Sequence, residues 1–143
     1  CGSTVDFPPA AVADLRAWLE KRRIPSELMQ AIPVTGPEAV GEARRFARHV
    51  DWLILDSYTE AVEGIGAAGT THDWEISRAI VEAVGVPVIL AGGLGPDNVA
   101  EAIRRVRPAG VDSLTLTNRP LPGGTFEKDL SAVRRFVTAA REA

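Results

Sequence analysis

Three polar features follow apolar runs that read as strands. Asp56 ends Trp52-Leu53-Ile54-Leu55, Gly92-Gly93-Leu94 follows Val88-Ile89-Leu90, and Asp112 and Thr115 lie in the apolar segment Val111–Leu116. In parallel α/β proteins ligands gather at the carboxyl ends of strands, where loops vary while the sheet stays rigid. After four apolar residues the Asp56 carboxyl is expected to be partly desolvated and suited to exchanging a proton with a substrate. An aspartate that merely caps or turns the chain fits that position equally well. The Gly92-Gly93 pair lets backbone N–H groups approach a ligand, and the helix start beyond Pro96-Asp97-Asn98 adds partial positive charge, so the stretch reads as a phosphate-binding βα loop, with a plain turn as the alternative. For Asp112, followed by Ser113, a structural hydrogen bond to a neighbouring loop is the simpler role.

Other reactive residue types form no pattern. His49 and His72 make no metal-ligand spacing with cysteine or paired carboxylates, so no metal is expected. Cys1 is the single cysteine, with no local base to activate it, and reads as inert. Arg104-Arg105-Val106-Arg107 reads as the solvated face of a helix, and Trp18, Trp52 and Trp74 as packing residues.

The elements that must position these groups alternate. Val12, Leu15, Trp18 and Leu19 predict a helix ending in Lys21-Arg22-Arg23, and Leu28–Val34 predicts a strand. A second helix is expected from Pro37 to about His49, then the strand Trp52–Leu55 and a glycine- and alanine-rich loop, Gly64–Thr71. Asp73 is placed to cap a helix over Trp74–Val84, broken by Gly85-Val86-Pro87. Val99, Ile103 and Val106 mark the helix after the glycine pair; Val111–Leu116 is the last predicted strand, and a terminal helix starts at Asp129 or Ser131. A helix followed by four strand–helix pairs, with continuously apolar strands, predicts an α/β domain whose parallel sheet is buried on both faces. With 143 residues, 45% hydrophobic and 24% charged, one globular domain over 1–143 is expected. A net charge of −3 and a pI near 5.4 argue against nucleic-acid or anionic-membrane binding. No apolar run is long enough to span a bilayer, and one cysteine without a signal peptide fits a cytoplasmic setting.

Taken in order, Leu-Ile-Leu-Asp56-Ser57, Thr71-His72-Asp73-Trp74, Pro87-Val-Ile-Leu-Ala-Gly-Gly-Leu94 with Pro96-Asp97-Asn98-Val99, Gly110-Val-Asp112 and Lys128-Asp129 resemble the phosphoribosylanthranilate isomerase family. The resemblance covers nearly the whole chain and is strongest from Trp52 to Asp112. It implies a (β/α)8 TIM barrel and an Amadori rearrangement of an aminoaldose phosphate to an aminoketose phosphate in tryptophan biosynthesis. It also implies a phosphorylated small-molecule substrate and no cofactor or metal. Asp56 would protonate the ribose ring oxygen, while Gly92, Gly93, Leu94, Asp112 and Thr115 would bind substrate and its phosphate.

Where family members carry Ser-Ser-Gly-Val-Glu, this chain has Leu114-Thr115-Leu116-Thr117-Asn118, and Leu116 places a side chain where backbone must approach the anion. Ala67, Ala68, Thr70 and His72 likewise replace residues of the family's glycine loop. These departures motivate an alternative: an isomerase-like barrel with lost or altered activity, acting as a binding module or on another sugar phosphate. Cys1-Gly2 aligns with the end of the family's fourth strand, so the chain is expected to hold strands five to eight. The family's catalytic cysteine base and the arginine for the anthranilate carboxylate would then lie upstream, in an N-terminal segment or a partner chain.

Overall fold

The computed structural model describes residues 8–56 and 74–143. Cys1, His72, the Asp73 cap and the glycine loop Gly64–Thr71 lie outside those residues.

Helix α1 (Pro9–Arg22) starts with proline in its first turn and stops at Arg23, whose left-handed backbone (φ 54°) lets its N–H return to the Glu20 carbonyl. It buries Val12 and Leu19. Trp18 is 46% exposed, with the Arg22 guanidinium 4.2 Å from its ring centre, so it is not the packing residue expected. The indole lies on the helix face away from the core and shields a cation instead. Trp74 is buried as expected, and Trp52 is half-buried.

Four strands follow: β1 (Met29–Pro33), β2 (Trp52–Asp56), β3 (Val88–Leu90) and β4 (Gly110–Val111). They pair in parallel in chain order, with Ile32 beside Leu55, Leu55 beside Leu90, and Leu90 beside Val111. The helices between them are α2 (Glu38–Phe46), α3 (Trp74–Ala83) and α4 (Val99–Val106). Ile32, Leu53, Leu55, Val88 and Leu90 form one core with Ala43, Phe46, Ile80, Val99 and Val106. Fully burying each leucine or isoleucine here contributes about 1.5–3 kcal/mol. The chain also ties its own ends of elements: Asp51 accepts from the Leu28 N–H at 2.7 Å and from Arg16 of α1, which holds its carboxyl below the usual carboxylate range.

The strands are not buried on both faces. In β1 Ile32 is buried while Met29, Ala31 and Pro33 are exposed, and in β2 and β3 Ile54 and Ile89 are only half-buried. Continuous apolar runs were expected to have two covers; among the described residues, helices pack against one face.

The last predicted strand is also corrected. β4 ends at Val111, and Thr115–Thr117 form a 3-10 turn. An antiparallel hairpin of β5 (Asn118–Pro120) and β6 (Phe126–Lys128) then precedes α5 (Leu130–Arg141). The hairpin turns through Gly123 and Gly124, both at positive φ. Asp129 caps α5 by accepting from the Ser131 and Ala132 N–H groups at 2.9 and 3.0 Å, which lowers its pKa.

Candidate functional site

A cavity of about 320 Å³ opens at the carboxyl ends of β2, β3 and β4. Its lining contains all six residues singled out by sequence: Asp56, Gly92, Gly93, Leu94, Asp112 and Thr115. Ile54, Ala91, Ser113, Leu114 and Leu116 complete it. Asp56 is the last residue of β2, so parallel pairing with β3 sets it one strand from the glycines. It is exposed, contrary to the expected partial desolvation, because it stands beyond the end of the helix-covered core. A carboxylate in that place is open to a substrate.

Gly92 and Gly93 have φ values of 84° and 63°, a left-handed conformation that side-chain-bearing residues adopt at a cost. Their N–H groups donate to no protein acceptor among the described residues. The loop beyond is closed by Asn98, whose Oδ1 accepts from the Gly95 N–H at 2.8 Å and whose Nδ2 donates to the Gly93 carbonyl at 2.9 Å. Asn98 was legible only as part of a turn; its role in shaping the glycine loop needed the fold. Leu94 contributes differently from what the motif implied: its side chain is buried in the core and its carbonyl accepts a hydrogen bond.

That bond comes from Ser113 Oγ at 2.6 Å and joins the loops after β3 and β4. The structural bond expected of Asp112 therefore belongs to its neighbour, and the exposed Asp112 carboxylate lines the cavity instead. Thr117, buried, donates through Oγ1 to the carbonyls of Ser113 and Leu114 at 3.2 and 3.1 Å. Lys128 Nζ, from β6, donates to the Leu114 carbonyl at 3.2 Å and to Thr117 Oγ1 at 3.0 Å. Neither residue carried a motif beyond the Lys-Asp pair before α5.

Among the described residues the lining thus offers two carboxylates, two hydroxyls, glycine amides and no cationic side chain. Among the described residues no cluster of three or more His, Cys, Asp or Glu side chains could hold a metal ion, and no helix is long and apolar enough to cross a membrane. Arg104, Arg105 and Arg107 are exposed as expected, with Arg105 paired to Glu75 and Glu101, away from the cavity lining.

Known proteins match most of this chain. The family model for N-(5'phosphoribosyl)anthranilate (PRA) isomerase matches residues 18–114. Among curated relatives, the N-(5'-phosphoribosyl)anthranilate isomerase of Haloferax volcanii is 46% identical over 112 residues, which are 78% of this chain and 48% of that protein. N-(5'-phosphoribosyl)anthranilate isomerase 2 of Methanosarcina mazei is 47% identical over 115 residues, 80% of this chain and 49% of that protein. The solved structure of the Pyrococcus furiosus N-(5'-phosphoribosyl)anthranilate isomerase superposes with a TM-score of 0.66 at 26% identity, covering 96% of this chain and 60% of that one. The chain spans about half the length of the curated relatives it matches. The α/β fold with its parallel strands and the matched residues agree: the chain belongs to the N-(5'-phosphoribosyl)anthranilate isomerase family.

Proposed function

We propose that this chain acts in the isomerisation of phosphoribosylanthranilate, with Asp56 as general acid. The observation that carries the reading is the shared cavity at the strand ends, where Asp56 meets Gly92, Gly93, Asp112 and Thr115 in a chain of this family. Asp56 protonates the ribose ring oxygen as the C1–O bond breaks, and the anthranilate nitrogen lone pair forms the C1=N bond. Loss of the C2 proton to a base outside this set gives an enolamine, which tautomerises to the aminoketose. Gly92 and Gly93 amides and the Thr115 hydroxyl bind the phosphate, and Asp112 accepts from substrate hydroxyls. The chemistry moves only protons and one electron pair along the substrate, so it calls for no redox cofactor. We also assign β1–β4 to strands five to eight of an eight-stranded barrel, supported by their sequential parallel order and by the half-length coverage of the relatives.

Turnover of phosphoribosylanthranilate by the protein tests this. Asp56→Asn should lower turnover by about 10²–10⁴-fold with an unchanged melting temperature. Turnover unaffected by the substitution would remove Asp56 from the acid role. The second reading, a barrel with altered or lost activity, is favoured by one observation: Leu114 and Leu116 stand exposed at the rim of a cavity that, among the described residues, has no cationic side chain. Absence of turnover in the unmodified full-length protein, with the strands that carry the base present, would select it.

A further inference from the structure

We propose that Leu116 is a steric gate that sets the access of anions to the cavity, and that Gly95 is glycine because of it. The inference rests on the phosphate-binding reading of the cavity and goes beyond it by naming the residue that limits that binding. Among the described residues, two carboxylates, Asp56 and Asp112, line the cavity, and no cationic side chain does. A dianion entering it therefore depends on close approach to backbone N–H groups, chiefly those of Gly92 and Gly93. Leu116 lines the same cavity and rests on Gly95, two residues beyond Gly93. A Cβ built on Gly95 would lie 2.8 Å from Leu116 Cβ and 2.9 Å from Leu116 Cδ1, so the leucine is seated directly on the Gly95 backbone. Gly95 is buried beneath it, while Leu116 itself remains 45% exposed and lines the cavity. An apolar side chain there offers no hydrogen bond to an anion and displaces the water that would otherwise solvate it.

The gate is held in place. Leu116 is the middle residue of the 3-10 turn Thr115–Thr117, and Thr117 Oγ1 closes that turn onto the Ser113 and Leu114 carbonyls. Lys128 fastens it from β6, and Ser113 Oγ ties it to the Leu94 carbonyl, one residue before Gly95. Withdrawing Leu116 from Gly95 by moving the backbone would strain these bonds, so the leucine narrows the cavity instead of swinging clear of it.

Binding of inorganic phosphate to the full chain, measured by calorimetry or by amide shifts in NMR, tests the gate without requiring turnover. Leu116→Gly should tighten phosphate binding by about tenfold, the effect of one regained charge-assisted hydrogen bond. Leu116→Ala keeps the Cβ that touches Gly95 and should give a smaller gain; it also stands in if the glycine variant does not fold. Leu130→Ala, an exposed leucine outside the cavity lining, should change nothing. Equal phosphate affinity in the unmodified, glycine and alanine forms, or no phosphate binding in any of them, would overturn the gate. A parallel turnover measurement separates this from the isomerase reading. A fall in KM with kcat retained supports the gate, a change in kcat alone opposes it, and failure of the isomerase reading shows instead as insensitivity to Asp56→Asn.

Discussion

The two loops that wall the cavity are stabilised in different ways. The loop from β3 to α4 is short, sits on buried residues at both ends (Leu90, Ala91, Leu94, Val99) and is closed by one side chain, Asn98. The connection from β4 to α5 is long, mostly exposed, and depends on hydrogen bonds reaching in from elsewhere: Ser113 to Leu94, Thr117 to its own turn, and Lys128 from the hairpin. The first loop is a local solution to a local problem. The second has its shape imposed by neighbours, and it carries Leu116.

Substitutions can break this contrast. The largest effect is expected where the Leu116 side chain rests on the Gly95 backbone. Gly95→Ala drives a Cβ into Leu116 Cβ at 2.8 Å and should cost about 1–3 kcal/mol in denaturant unfolding. In a Leu116→Gly background most of that cost should vanish, and a double-mutant cycle with no coupling would show that the two loops do not meet there. Asn98→Ala removes both ties of the first loop and leaves the partly buried Gly95 N–H without its acceptor, at about 1–2 kcal/mol. Gly93→Ala meets no atom within 4 Å, so its expected cost of about 1 kcal/mol comes from backbone conformation alone (φ 63°). Lys128→Met should cost least, under about 1 kcal/mol, because its ammonium is exposed. Its clearer signature is faster amide exchange at 114–117 with 93–98 unchanged.

Acid separates a second pair of regions. Asp51 is held below the ordinary carboxylate pKa by the Leu28 N–H and by Arg16, and Asp129 by the Ala132 and Ser131 N–H groups. Both values are lowered in the folded state. Their stabilising contributions are therefore fully present above the ordinary carboxylate pKa of about 4 and are lost as pH falls through the lowered folded values. Melting temperature should decline on acidification below that point, and Asp51→Asn should flatten part of the decline. An unchanged acid limb in the variant would mean that the Asp51 cluster joining α1, β1 and β2 does not act as described.

Much of the fold was legible because its signals are periodic and local. Val88-Ile89-Leu90 followed by glycines, and Val99, Ile103 and Val106 at helical spacing, predict β3 and α4 from residues that are neighbours in the chain. The candidate site residues were also legible, since they stand next to strand ends and parallel pairing alone brings those ends together. Val111–Leu116 was misread because alternating Leu and Thr satisfy strand propensity, yet the register with β3 holds only Gly110 and Val111 and its last hydrogen bond runs from the Asp112 N–H to the Leu90 carbonyl. Beyond Val111 the chain has, among the described residues, no strand to follow, and Thr117 and Lys128 fold it into a turn.

The sequence by itself determined the alternation of helices and strands, the strand-end positions of Asp56, Gly92-Gly93 and Asp112, and membership of the family, because each depends on residues close together in the chain. Tertiary structure alone decided which sheet face is covered, that Asp56 stands exposed, that Ser113 and not Asp112 ties the loops, and that Leu116 rests on Gly95. Those outcomes depend on contacts between segments whose separation along the chain carries no periodic signal, so only packing could select them.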